Sequence, residues 1–100
     1  MSRSPKNYDE QLVACGLHVR FVREFLGLTR KEFAKELGVS VNAVQNWESG
    51  YQRIGISSVM ILLRDKKISA DFILDGFING LDQNTKTAWI EYQRNLSKSA

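Results

Sequence analysis

The chain has 100 residues, 43% of them apolar and 25% charged, which is enough for one small hydrophobic core and too little for two. Its 14 Lys and Arg stand against 11 Asp and Glu, a net charge of +3; so mild a basic excess permits a nucleic-acid partner without requiring one. One cysteine and one histidine, Cys15 and His18, exclude an intrachain disulfide and leave no metal-ligand set.

The single proline and the helical spacing of apolar residues point to an all-α fold. The basic excess is uneven. Residues 1–67 hold eleven Lys and Arg against seven Asp and Glu, whereas residues 68–100 hold three against four. No secretory signal or membrane-length apolar run is present, so the chain reads as cytoplasmic.

In chain order, the polar residues 1–8 read as a disordered arm. A first helix is expected from near Tyr8-Asp9-Glu10 to about Leu26, with Asp9 and Glu10 favourable at its N-terminus. Leu12, Cys15, Val19, Val22 and Leu26 form one core-facing stripe. Val13, Leu17, Phe21 and Phe25 form a second stripe, which requires extra burial. Gly16 weakens the early turns, Cys15 reads as a small buried hydrophobe, and His18 reads as a helix-surface residue. Gly27 ends the helix.

The stretch from Leu28 to Gly50 carries two short helices around Gly38-Val39-Ser40. Thr29 and Glu32 have the spacing of a capping box. Phe33, Ala34 and Leu37 recur at helical spacing, and Gly38 stands where a left-handed residue ends a helix. Ser40 caps the next helix, whose inner face is Val44 and Trp47. Its outer face, Val41, Asn42, Gln45 and Asn46, is small or polar yet uncharged, unlike an ordinary solvated surface. Two helices in this order read as a helix-turn-helix with its second helix entering the major groove of DNA.

Beyond the loop Tyr51 to Gly55, Ser57 is expected to cap a fourth helix from Ser58 to about Lys66, anchored by Val59, Leu62 and Leu63. Ser69 caps a fifth, with Phe72, Ile73 and Leu74 buried and Gly76 as terminator. Asn84 or Thr85 caps a last helix carrying Trp89, Tyr92 and Leu96. The chain thus divides into the arm 1–8, a helix-turn-helix domain 9–76 and a C-terminal extension 77–100.

From about Val19 to Gly76 the chain resembles the Cro/CI-type helix-turn-helix domain of phage repressors, small bacterial regulators and several antitoxins. The matching residues are Arg23, Gly27-Leu28-Thr29, Glu32-Phe33-Ala34, Leu37-Gly38-Val39-Ser40, Val44, Glu48 and Gly50, with Ile68 to Leu74 similar to the final helix. The resemblance implies a five-helix, lambda-repressor-like DNA-binding domain, here with an added C-terminal helix, encoded by a bacterium or a phage. It also implies that Arg23 and Glu48 pair to fix the angle of the reading helix, direct phosphate binding by Arg23 being the alternative. The chain departs from the family pattern in the loop near Ile54 (often a proline there), and at Leu63 (often alanine), Lys66 (often apolar) and Trp47 (usually a smaller aliphatic).

Base reading is expected from Asn42 first, since an amide can bond adenine in bidentate fashion, then from Asn46 and Gln45, with Val41 against a thymine methyl. Phosphate contacts are expected from Arg30 and Arg53, with Thr29, Ser40 and Tyr51 assisting and Lys31 a weaker candidate. No carboxylate pair, Cys/His cluster or nucleophile set accompanies them, so no catalytic residue, metal or cofactor is expected. The expected partner is double-stranded operator DNA, bound by a homodimer acting as a transcriptional regulator. Leu17, Phe21, Phe25, Trp89, Tyr92 and Leu96 are the candidate dimer surface. Alternatively, the last helix folds back over the second stripe of the first. A protein partner, such as a toxin or anti-repressor, is the second reading.

Overall fold

The computed structural model describes residues 5–99, with side chains from Glu10 to Lys98. Six helices follow one another: α1 (Pro5–Phe25), α2 (Arg30–Leu37), α3 (Val41–Glu48), α4 (Ile56–Lys66), α5 (Ala70–Asp75) and α6 (Gln83–Ser99), with no strand among the described residues. The all-α, five-helix architecture with an added C-terminal helix is the one the resemblance implies.

The chain is already helical at Pro5, so residues 5–8 of the expected arm belong to α1, and residues 1–4 lie outside the described residues. Gly27, at φ 74°, closes the other end. Leu28 N donates to Arg23 O and Gly27 N to Glu24 O, the paired bonds by which a left-handed residue satisfies the last carbonyls of a helix.

Helix α2 has the full capping box. Thr29 Oγ1 accepts from Glu32 N at 3.1 Å, and Thr29 N donates to Glu32 Oε1 at 2.9 Å. Gly38, at φ 69°, ends it with the same closure, Val39 N to Ala34 O. Ser40 Oγ then accepts from Ala43 N at 3.0 Å and opens α3.

Two caps differ from expectation. Helix α4 starts at Ile56 behind Gly55, which offers no side-chain cap; Val59 N donates to Gly55 O, which places the first turn ahead of Ser57. Helix α6 is capped by Asp82, whose Oδ1 accepts from Thr85 N at 2.8 Å and Thr85 Oγ1 at 2.7 Å. A carboxylate facing two donors outcompetes the Asn84 amide for this role. Ser69 caps α5 by accepting from Phe72 N.

Helix α1 is the hub of the core and packs on α3, α5 and α6. Its first stripe is buried at Leu12, Cys15, Val19 and Val22 and half-buried at Leu26. These meet Phe33, Ala34, Leu37, Val44, Trp47, Val59, Leu62, Phe72 and Ile73. Gly16 proves to be a contact residue. A Cβ there would run into the Trp47 carbonyl oxygen and lie 3.0 Å from that of Glu48, so glycine lets the backbones of α1 and the end of α3 touch.

His18 corrects the sequence reading. It is 7% exposed, and its Nδ1 lies 3.1 Å from Ile73 O, to which Cys15 Sγ also donates at 3.4 Å. The last carbonyls of a helix lack partners within the helix; here α1 side chains serve the end of α5. Burial lowers the His18 pKa below its ordinary value and raises that of the Cys15 thiol.

The second stripe is decided by α6. Phe21 is 2% exposed and Trp89 5% exposed. Their rings meet edge to face at 5.1 Å, with Phe72 and Tyr92 closing the cluster at 5.8 and 5.2 Å from Phe21. Helix α6 therefore folds back on α1, the alternative that the sequence leaves open. Phe21 and Trp89 are core residues of one chain and are removed from the candidate dimer surface. Phe25 and Leu96 stay exposed, and Leu17 and Tyr92 are half-buried. The extension 77–100 also supplies Leu81 and Trp89 to the common core.

Candidate nucleic-acid interface

Helix α3 buries Val44 and Trp47 and presents Val41, Asn42 and Gln45 outward, with Asn46 half-buried. Because the buried pair is three residues apart, the exposed residues necessarily share the opposite face. The Ser40 cap fixes where that face begins. Its oxygen accepts from Ala43 N, while the hydroxyl proton remains available for a phosphate oxygen.

Asn42 and Gln45 are exposed. Asn46 is already engaged. Its Nδ2 donates to Gln52 Oε1 at 3.3 Å, and its carbonyl accepts from Tyr51 N and Gln52 N. Gln52, which sequence reasoning passed over, thus engages the Asn46 side chain; no local pattern signals a bond that depends on the path of the loop.

The cations around α3 fall into two groups. Arg53 and Tyr51 lie exposed on the loop beyond it. Arg23 and Arg30 converge on Glu48. Arg23 Nε donates to Glu48 Oε2 at 2.6 Å and its Nη2 to Oε1 at 3.2 Å, while Nη1 reaches Leu28 O at 3.0 Å. Arg30 Nε donates to Glu48 Oε1 at 3.0 Å. The Glu48 side chain is 3% exposed and that of Arg23 11%, but the Arg30 side chain is 46% exposed. The inner arginine therefore ties α1 to the end of α3. The outer one is anchored at Nε and still presents its guanidinium to solvent.

A charge chain continues along α1, from Arg23 Nη2 to Glu24 at 3.7 Å and on to Arg20 at 3.1 Å. The hydrogen bond that Arg20 Nε donates to Glu24 Oε2 raises the Arg20 pKa. Lys66, where the family pattern is often apolar, pairs with Glu36 at 3.1 Å, which joins α4 to α2 by charge. Ile54, in the loop where the family often has a proline, is buried.

No group of three or more His, Cys, Asp or Glu suited to a metal occurs among the described residues, and no described helix is long and apolar enough to cross a membrane. A comparison with curated proteins finds no match, and a comparison with solved structures finds none either. The helix-turn-helix family model matches residues 19–72, more than half of the chain. That span runs from the core of α1 through the capped pair α2–α3 to Phe72. The chain belongs to the Cro/CI-like helix-turn-helix family of DNA-binding regulators.

Proposed function

We propose that the chain is a sequence-specific transcriptional repressor that sets α3 into the major groove of a palindromic operator as a homodimer. The observation that carries this reading is the outer face of α3. Its uncharged Val41, Asn42 and Gln45 stand exposed, with the half-exposed Arg30 held at the last turn by Glu48 and the exposed Arg53 in the loop beyond it. Bases are read by neutral amides and methyl groups, and phosphates by the flanking charges. Asn42 and Gln45 are the principal readers, with Asn46 braced by Gln52. Arg30, Arg53, Thr29, Ser40 and Tyr51 hold the backbone.

One such domain buries little surface on DNA, and useful specificity follows from two copies whose half-sites lie about 34 Å apart. A dimer surface is supported by the open groove of about 330 Å³ between α1 and α6, whose accessible lining is Phe25, Ala88 and Tyr92 together with Glu24, Glu91 and Asn95. Leu17, half-buried, and Leu96, exposed, stand four residues from Phe21 and Tyr92 on the same helix faces. The same groove supports a second reading, a protein-interaction module of the antitoxin or anti-repressor type. Under the first reading the protein works in the cytoplasm of a bacterium, whether encoded by its chromosome or by a phage.

Selection of bound duplexes from a random pool, at stated salt, tests the proposal. A palindromic motif with half-sites one helical turn apart is expected. Absence of any enriched motif refutes sequence-specific binding and favours the protein-interaction reading.

A further inference from the structure

A second depression, about 250 Å³, lies where α1, the loop before α4 and the end of α5 meet. Gln11, Ala14 and His18 line it from α1, Arg53 from the loop, and Leu74 and Asp75 from α5. It is smaller than a drug-sized ligand pocket, which spans roughly 300–1,000 Å³, and its polar groups are of three complementary kinds.

Arg53 and Asp75 face the same space with opposite charges, and no ion pair joins them. A lone anion would meet the Asp75 carboxylate and a lone cation the Arg53 guanidinium, so a ligand bearing both charges suits the walls best. His18 adds direction. The Ile73 carbonyl can only accept, so the proton lies on Nδ1. Nε2 is then a bare acceptor, with no partner among the described residues. Gly76 leaves this nitrogen uncovered, because a Cβ there would lie 2.9 Å from it. Burial also favours the neutral ring that keeps this acceptor.

We propose that this pocket binds a small zwitterion of the free amino-acid class, carboxylate on Arg53 and ammonium between Asp75 and His18 Nε2, and that its occupation weakens DNA binding by withdrawing Arg53 from the phosphate backbone. The site stands on the pocket alone, whereas the coupling rests on the proposed role of Arg53 as a phosphate contact. If the two ligands exclude each other, an amino acid at ten times its Kd lowers the apparent DNA affinity about tenfold.

The test uses the full chain without DNA, titrated with each proteinogenic L-amino acid up to 10 mM, roughly the weakest affinity worth assigning to a metabolite site, and followed by amide NMR shifts. At least one amino acid is expected to give saturable shifts centred on Gln11, His18 and Asp75. Its affinity should fall at least about tenfold, the loss of one charge-assisted contact, in both Arg53→Gln and Asp75→Asn. No saturable binding, or binding that survives both substitutions, overturns the site. With an amino acid bound, unchanged affinity for the selected operator overturns the coupling. Because the titration contains no DNA, its result for the pocket holds whether or not the chain binds an operator.

Discussion

Arg23 and Glu48, 25 residues apart, meet in a two-pronged ion pair of 2.6 and 3.2 Å in which both side chains are nearly withdrawn from solvent. The pair locks the last turn of α3 to α1. Its carboxylate also holds Arg30, so one buried anion organises two cations of very different exposure.

That difference has a measurable consequence. Glu48→Ala strands the buried Arg23 and is expected to cost about 3–5 kcal/mol of unfolding free energy. Arg30→Ala removes a half-exposed partner screened by solvent and should cost less than about 1 kcal/mol. Urea denaturation of the two variants checks the ordering; equal losses refute it.

Asn42→Ala is expected to relax base preference at one position per half-site, a discrimination of roughly 1–3 kcal/mol. Arg53→Ala should instead weaken binding to all sequences and reduce the salt slope by about one unit. An unchanged selected motif sinks the first assignment, and an unchanged slope sinks the second.

Gly16→Ala sets helix propensity against packing. In an exposed helix the change would stabilise by about 1 kcal/mol. Here the added methyl meets the carbonyls of Trp47 and Glu48, and a net loss of about 1–3 kcal/mol is expected from overpacking. A rise in Tm would show that α1 and α3 do not touch there.

Trp89→Ala, which opens the cluster with Phe21 and Phe72, is expected to cost about 3–5 kcal/mol. Phe25→Glu, on the exposed edge of the same region, should leave the fold intact and disrupt dimers if the α1–α6 groove joins two copies. Light scattering that finds an unchanged dimer in Phe25→Glu excludes that surface.

The single histidine gives a direct acid readout. Burial lowers the His18 pKa from 6.5, so the unfolded chain takes up its proton first as pH falls. Stability is therefore retained above pH 6.5 and declines below it, towards the lower folded-state value. NMR titration of the ring should give a midpoint below 6.5; a midpoint at or above that value contradicts the buried, neutral assignment.

Local chemistry made much of this protein legible in its sequence. Thr29, Glu32, Gly38, Ser40, Ser69 and Gly76 mark helix ends through bonds spanning three to six residues, and Val44 and Trp47 set the inner face of α3 by periodicity alone. The outer face of α3 followed from the same geometry. Tertiary structure decided what depends on contacts between distant segments. It alone put α6 on Phe21, His18 under the end of α5, Gly16 against the carbonyls of α3, and Arg30 on Glu48. An apolar stripe states that something must cover it, but nothing in its spacing says whether the cover is the chain's own last helix or a second molecule. A histidine, a glycine or an arginine likewise acquires its role from whatever the packed helices bring to within a few ångströms.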